Sequence, residues 1–287
     1  MKPALKLTNE IESLIDLALR EDLGENGDVT SNCILNCDDE GQASIIVKKD
    51  GIIAGLPIAE WVFKKVNPGL KVQNRVEEGS KVQRYEEVVR IIGPLAGILT
   101  AERTGLNFLQ RLSGIATLTA EFVRKVAGTK VRILDTRKTT PGFRVLEKYA
   151  VRAGGGGNHR FGLYDMVLIK ENHIAAAGGI ASAVEQTREN MKKRGLNLKI
   201  EVEVRNLSEV EQVLNLAVDR LMLDNMSLQK IREAVKLANG KVELEVSGGV
   251  TLETVREIAE TGVNYISVGA LTHSASSLDL SLLIDAA

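Results

Sequence analysis

From residue 130 onward the chain alternates six times between a short apolar run and a helical stretch. The runs are VRILD (131–135), MVLIK (166–170), LKIEVEV (198–204), RLMLD (220–224), VELEVS (242–247) and NYISVG (264–269). Helix-end signals lie between them. Ser208 and Glu211 have the S-x-x-E spacing of a capping box, Asn239-Gly240 stops a helix that begins near Ser227, Thr251 opens another, and Gly262 closes it. Strands that alternate with helices form a parallel sheet joined by right-handed crossovers. Six units within roughly 140 residues predict an α/β barrel of six or seven parallel strands, an incomplete version of the eight-stranded barrel. An open doubly wound sheet is the alternative, because periodicity does not determine closure.

The residues before this alternation read differently. Leu7, Ile11, Leu14, Ile15, Ala18 and Leu19 recur at helical spacing, and Gly24 and Gly27 end that helix. In GQASIIVKKDGIIAG (41–55) two β-rich runs flank Asp50-Gly51, which predicts an antiparallel hairpin. A short helix around 57–66 and two or three strands between Leu70 and Ile92 follow. A strongly helical stretch begins after Gly93-Pro94, with a break expected at Ser113-Gly114. The expected organisation is an α+β domain on an antiparallel sheet (1–112), the barrel (113–273), and a C-terminal helix (274–287) packed back on the first domain.

Composition removes several classes of function. The net charge of −1 is no general basic face for a duplex, and aromatics at 3% are too few to stack single-stranded bases. No uninterrupted apolar run approaches the ~18 residues of a membrane span. The first 22 residues carry acids through their apolar pattern, unlike a secretory signal. A cytoplasmic protein with no nucleic-acid or membrane partner is expected. Cys33 and Cys37 lack a second ligand pair, so reduced thiols are expected rather than half a metal site.

Chemistry is expected where the barrel runs end. Asp135, Lys170, Glu203 and Asp224 each close an apolar run with a charge, the last three separated by gaps of 33 and 21 residues. Residues at the carboxyl ends of barrel strands line the active-site mouth. Glu201 and Glu203 share a face because strand side chains alternate, and Glu203 is nearer the end. The last two runs end in Ser247-Gly248-Gly249 and Val268-Gly269-Ala270, turns whose backbone N–H groups suit a phosphate. Between 135 and 173 lie seven Lys or Arg against four acids, together with His159, His173 and the run Gly154–Gly157. Arg144, Lys148 and Arg152 have the spacing of a solvated helix face. Arg137-Lys138 and His159-Arg160 instead flank Pro and Gly breaks and suit a ligand with several negative charges. Carboxylates inside a polyanion site face a Mg²⁺ held with phosphates or a developing positive charge, which a phosphorylated sugar reacting through an oxocarbenium-like state requires. A Schiff-base role for Lys170 in an aldolase-type barrel and a non-catalytic phosphate-ligand sensor are alternatives.

DTRKTTPGFR (135–144), EKYAVRAGGGGNHRFGLYDMVLIKENH (147–173), EVEV, LDN and VSGGV resemble the quinolinate phosphoribosyltransferase (nicotinate-nucleotide pyrophosphorylase) family, of the type II phosphoribosyltransferases. AERTGLNFLQRLSGIAT and EDLGENGDVTS are similar to its N-terminal motifs, the latter a residue longer than the family's usual turn. The resemblance implies transfer of phosphoribosyl from phosphoribosyl pyrophosphate (PRPP) to quinolinate with Mg²⁺, giving nicotinate mononucleotide, pyrophosphate and CO₂. A paralogue acting on another base shares these motifs. The resemblance also implies a homodimer, or a hexamer made of dimers, in which Arg103 reaches the neighbouring subunit's site. It places Thr136, Arg137, Lys138, His159, Arg160 and Lys170 around the dicarboxylate and pyrophosphate. Glu203 and Asp224 fall on the ribose and metal side, and Ser247, Gly248, Gly249, Val268, Gly269 and Ala270 at the 5-phosphate. Lys138, Lys170, Glu203 and Asp224 are the implied catalytic residues, and Glu203 and Asp224 the metal carboxylates, directly or through water.

Overall fold

A computed structural model describes residues 5–36 and 39–285. Cys37 therefore lies outside the described residues, and Cys33 is an exposed free thiol. The chain divides into two compact units, neither continuous in sequence. The first comprises Met1–Ala120, Thr139–Gly155 and Leu271–Ala287, and the second Glu121–Lys138 and Gly156–Ala270.

The first unit is built on a four-stranded antiparallel sheet. Its strands are β1 (Glu40–Val47), β3 (Lys71–Asn74), β5 (Glu87–Pro94) and β12 (Leu280–Ile284), in the order β12-β1-β5-β3; β2 (Gly51–Ile52) and β4 (Lys81–Val82) pair separately. Helices α1 (Asn9–Leu23), α2 (Val29–Ile34) and α3 (Leu56–Val66) belong to it. Helix α1 starts where Thr8 accepts from Ile11 N, ends at Gly24, and buries Ile11, Ile15 and Leu19, the stripe its spacing predicts. Asp28 caps α2 by accepting from Ser31 N at 2.9 Å.

Three expectations for this unit are corrected. Asp50-Gly51 does not close a hairpin: β1 pairs with β12 and β5, whereas β2 pairs with β4. The local turn chemistry is present, but partners remote in sequence determine the pairing. The C-terminal segment is strand β12 and not a helix. Leu280 and Leu282 are buried while Ser281 between them is less so, a period of two that suits a strand lying against β1. The break at Ser113-Gly114 is absent, and α4 (Leu95–Lys125) runs unbroken for 31 residues. Both residues serve packing. Ser113 Oγ accepts from Ala54 N at 2.9 Å, and a Cβ on Gly114 would stand 2.0 Å from the Ser276 carbonyl oxygen.

The first unit also holds α5 (Arg144–Ala153). Its predicted solvated face is only partly realised: Arg152 is exposed, but Lys148 is buried, and Arg144 Nε donates to Thr139 Oγ1. Glu147, fully buried, accepts from Arg111 at 2.8 Å and from Thr140 N at 3.1 Å.

The second unit is the parallel sheet. Its strands β6 (Arg132–Leu134), β7 (Val167–Ile169), β8 (Ile200–Val204), β9 (Arg220–Asp224), β10 (Glu243–Ser247) and β11 (Tyr265–Ser267) lie in the order β6-β11-β10-β9-β8-β7. Each coincides with a predicted apolar run. A seventh position is rudimentary: Gly157 bridges Leu134 in parallel, its N–H donating to Ile133 O at 2.8 Å. The connecting helices are α6 (Glu171–Ala177), α7 (Ile180–Lys193), α8 (Leu207–Leu214), α9 (Leu228–Ala238) and α10 (Val255–Ala259); the short α11 (Ala270–His273) follows β11, its residues from Leu271 belonging to the first unit. Helix α9 runs from its Ser227 cap to left-handed Asn239, as the sequence signals predict. Helix α8 starts two residues earlier than its predicted box: Asn206 is the cap, and Glu209 returns a bond to Arg205 N at 2.8 Å. The predicted Thr251 cap is also displaced, with Thr254 flanking α10 and Thr251 O accepting from Val255 N.

Candidate active site

Sheet order converts six separate sequence positions into a circuit. Read from β6 to β7 through the neighbouring strands, the carboxyl ends present Asp135, Val268, Ser247, Asp224, Glu203 and Lys170. Register confirms the pairing, with Ser247 opposite Asp224 and Glu203 opposite Met222. Parallel partners share a face, so Glu201 and Glu203 on β8, Arg220 and Asp224 on β9, and Glu243 and Glu245 on β10, each an even number of residues apart, point the same way.

Two cation groups form within this unit. Lys170, immediately after β7, is ion-paired to Glu203 on β8. An ammonium held by a carboxylate is not a neutral amine nucleophile, which speaks against a Schiff-base role. On the other side, burial first and the nearby charge of Arg137 second push the Arg160 guanidinium below its ordinary pKa, against the pull of Glu201 and Asp165. Arg160 also donates to Met166 O at 3.1 Å. Nε of Arg137 is buried and has no hydrogen-bond partner among the described residues. A buried donor without an acceptor, close to a second guanidinium, costs free energy that a bound anion would offset.

The loop that carries Arg160 is fastened to β6. Fully buried Asp135 accepts from His159 N at 2.8 Å and from Asn158 Nδ2 at 2.5 Å. Asp135 is thus a structural strand end and not an open carboxylate. His159 is buried, with Nε2 3.1 Å from Oε2 of Glu201 and 3.4 Å from Oε1 of Glu245. Its Nδ1 accepts the Arg160 N–H at 2.7 Å. Burial disfavours a second proton on this ring, while the two carboxylates favour one strongly enough to raise its pKa to about 9. That proton has no place at Nδ1 while the 2.7 Å bond stands, because only the neutral ring has a lone pair there; the hydrogen bond decides the resting form. Glu245 also accepts from Arg220 at 2.9 Å, and the Arg220 guanidinium lies 3.9 Å from the Tyr265 ring centroid.

Sequence reasoning passed over Glu245 and Arg220 and set Glu201 aside for Glu203. Their signal was a charge in mid-strand, at inward positions of otherwise apolar runs. His173 turns out to be a helix cap: Nδ1 accepts from Lys170 N at 3.0 Å at the start of α6.

The two glycine turns differ. Gly248 and Gly249 both have positive φ, at 95° and 61°, and a Cβ on Gly248 would stand 2.2 Å from the Asn225 side chain. Asn225, itself at φ 51°, donates to Ser247 O, and its amide donates to Asp224 at 2.9 Å. At the other turn, Val268 N–H is already given to Leu134 O, and Gly269 leads into α11 at Ala270. Thr136 Oγ1 accepts from Lys138 N at 3.0 Å, and Lys138 is exposed. Arg103 is exposed on α4, in the first unit. A cavity of about 440 Å³ in that unit, lined by Asp22, Thr104, Asn107, Phe108, Arg111 and Phe143 among others, contains none of the predicted site residues.

Fold and side-chain arrangement together define a class, an α/β-barrel protein that gathers charged groups at its strand ends. Residues 28–113 match the N-terminal-domain model of quinolinate phosphoribosyl transferase, and residues 115–283 the C-terminal-domain model. The chain belongs to the quinolinate phosphoribosyltransferase family. It is 46% identical over 300 residues to quinolinate phosphoribosyltransferase [decarboxylating] 2a, mitochondrial, of Nicotiana tabacum, covering 99% of this chain and 85% of that protein. A probable nicotinate-nucleotide pyrophosphorylase [carboxylating] of Bacillus subtilis is 42% identical, covering 95% and 93%. The solved nicotinate-nucleotide pyrophosphorylase of Francisella tularensis superposes with a TM-score of 0.93 at 42% identity, covering 98% of both chains.

Proposed function

We propose that the carboxyl ends of the six barrel strands are where this chain joins quinolinate to the ribosyl carbon of PRPP. The reaction is that of its family: phosphoribosyl transfer with decarboxylation, giving nicotinate mononucleotide, pyrophosphate and CO₂ for NAD biosynthesis. The observation that carries the site reading is the nearness of Arg137 to Arg160, in which a buried guanidinium N–H has no acceptor among the described residues.

Quinolinate brings two carboxylates and PRPP a triply phosphorylated sugar. Arg137, Arg160, Lys138 and Lys170 neutralise them and align the ring nitrogen with the anomeric carbon, the proximity contribution to rate. Glu203 and Asp224 face the ribose, where negative charge stabilises the cation that develops as pyrophosphate leaves. Ser247, Gly248, Gly249, Gly269 and Ala270 receive the 5-phosphate on backbone N–H groups. Glu203 and Asp224 fit a Mg²⁺ by the chemistry of their donors. They are carboxylates at adjoining strand ends, each bonded to another side chain through Oε2 or Oδ2 alone among the described residues. Mg²⁺ typically takes one or two carboxylates plus substrate phosphates. When bound, the ion neutralises charge on the departing pyrophosphate.

Exposed Arg103 suits the family's arrangement, in which a neighbouring subunit completes the site of a homodimer or a trimer of dimers. Among the described residues no helix is long and apolar enough to cross a membrane. With an exposed free thiol at Cys33 and a bacterial relative, the cytoplasm is the compartment we favour.

Purified protein given quinolinate, PRPP and Mg²⁺ should release CO₂ and nicotinate mononucleotide in equal amounts. No turnover, or turnover only with another pyridine acid, would refute the assignment. Mixing inactive Arg103→Ala and Lys170→Ala proteins should restore activity that neither has alone, since a hybrid dimer keeps one intact site.

A further inference from the structure

Both ring nitrogens of His159 are directed into the protein. Nδ1 accepts the N–H of Arg160 at 2.7 Å, and Nε2 points between Glu201 and Glu245 at 3.1 and 3.4 Å. The residue is 8% exposed, and its own N–H is given to Asp135 Oδ1. We infer that His159 is a positioning residue, whose ring fixes the peptide of Arg160 and offers no hydrogen bond to the substrate. The inference rests on the proposed site, because it concerns how Arg160 is aimed.

The surroundings of the ring support a fixed post. Glu201 and Glu245 are both fully buried. Arg220 pairs with Glu245 at 2.9 Å, packs 3.9 Å over Tyr265, and so holds that carboxylate against the imidazole. Tyr265 in turn donates to Glu243 at 3.0 Å. The chain thus runs from the interior of β11 through Arg220 and Glu245 to His159 and ends at the Arg160 peptide. Asp135 grips the same loop from β6.

A metal is the competing occupant, since one oxygen or nitrogen from each of His159, Glu201 and Glu245 lies within 4.8 Å of the others. Two contacts oppose it. Arg220 already occupies Glu245, placing a cation beside the site. A histidine that binds metal through Nε2 ordinarily donates Nδ1–H to an outer acceptor. Here Nδ1 accepts instead, which would demand an imidazolate. The cluster is therefore a support held by close ring–carboxylate contacts and the Arg220–Glu245 ion pair.

The test uses substitutions that replace one ring nitrogen at a time. The carbonyl of His159→Asn can take the place of Nδ1 and accept from Arg160 N, whereas His159→Gln reaches toward the carboxylates but loses that acceptor. His159→Asn is expected to stay within about 10-fold of wild-type kcat/KM. His159→Gln should lose about 100-fold, the scale of a misplacement near 1 Å. Equal losses, or a better Gln variant, would overturn the inference. Because either variant can misfold, wild-type protein labelled with ¹⁵N-histidine supplies a second reading. The His159 ring should show one protonated nitrogen, Nε2, and its signals should hold still when quinolinate is added. A ring nitrogen that shifts on quinolinate binding, or a doubly protonated ring at neutral pH, would sink it. If wild-type protein failed to turn quinolinate over, the proposed function would fall; the ring signals of the free enzyme would still report separately on the support.

Discussion

Gly114 lies near the middle of α4, where a β-carbon would stand 2.0 Å from the Ser276 carbonyl oxygen, 2.9 Å from its carbon and 2.9 Å from Ser277 Cα. All three are backbone atoms, so no rotamer change relieves the contact. Normal separation requires the 276–277 segment to retreat by about 1 Å. That segment is tied down: Leu278 N donates to Gln110 O at 3.0 Å, Gln110 Nε2 to Leu280 O at 2.8 Å, and Arg111 to Ala275 O at 2.8 Å. Overpacking costs about 1–3 kcal/mol, and strained hydrogen bonds add to the upper end. Alanine returns about 1 kcal/mol of helix propensity. Gly114→Ala should therefore lose about 2 kcal/mol net, a fall in Tm of about 4–8 °C for a domain of this size. Gly97→Ala, on the same helix, meets Asn67 Cβ at 3.0 Å, a contact that a small local shift relieves at a cost the gain in helix propensity offsets, and its Tm should remain within about 2 °C of wild type. Calorimetry of both variants decides the matter. If Gly114→Ala melted at or above wild type, the close approach would not be what excludes a side chain there.

Arg137→Ala should lower kcat/KM for quinolinate by at least about 100-fold, the cost of about 3 kcal/mol of anion binding, while Tm holds or rises because the repulsion on Arg160 is relieved. Borohydride added with sugar phosphates should leave no adduct on Lys170, whose ammonium is engaged by Glu203; mass spectrometry of the treated protein would detect one. The Ser31 hydroxyl, and then its N–H, hold the Asp28 carboxyl below the usual carboxylate range, so its cap on α2 is complete above pH ~4 and is lost as pH falls through the depressed value. Amide exchange across Val29–Ile34 should accelerate in that acid window and at neutral pH in Asp28→Ala, which removes about 1 kcal/mol of capping.

The six barrel strands could be read from sequence because each is a run of apolar residues bounded by its own helix-end signals, information that is local. The β1–β2 hairpin failed because Asp50-Gly51 is equally local but the partners of β1 lie at 87–94 and 280–284. The C-terminal strand failed for the same reason, its alternation being too short to exclude a helix without knowledge of β1. Among the candidate site residues, Lys170 at one strand end meets Glu203 at the next, and Arg137 and Arg160 of the cation-rich stretch stand near each other. His159 entered the candidate site through the glycine break beside it and the family resemblance, and the direction its imidazole faces depends on contacts with Glu201 and Glu245 that no local pattern shows. Glu201, Arg220 and Glu245 balance one another through neighbours on adjoining strands, a relation that depends on sheet order.

Strand β12 carries a consequence for biosynthesis. The first sheet takes residues 40–47 near its start and completes its edge with residues 280–284, and every barrel strand is translated between these two. The amino-terminal sheet must wait on the ribosome, lacking one flank of β1, until the whole barrel has emerged. A nascent chain halted shortly before Leu280 would expose that flank to neighbouring chains, so stalled or truncated products should be the aggregation-prone species in the cell.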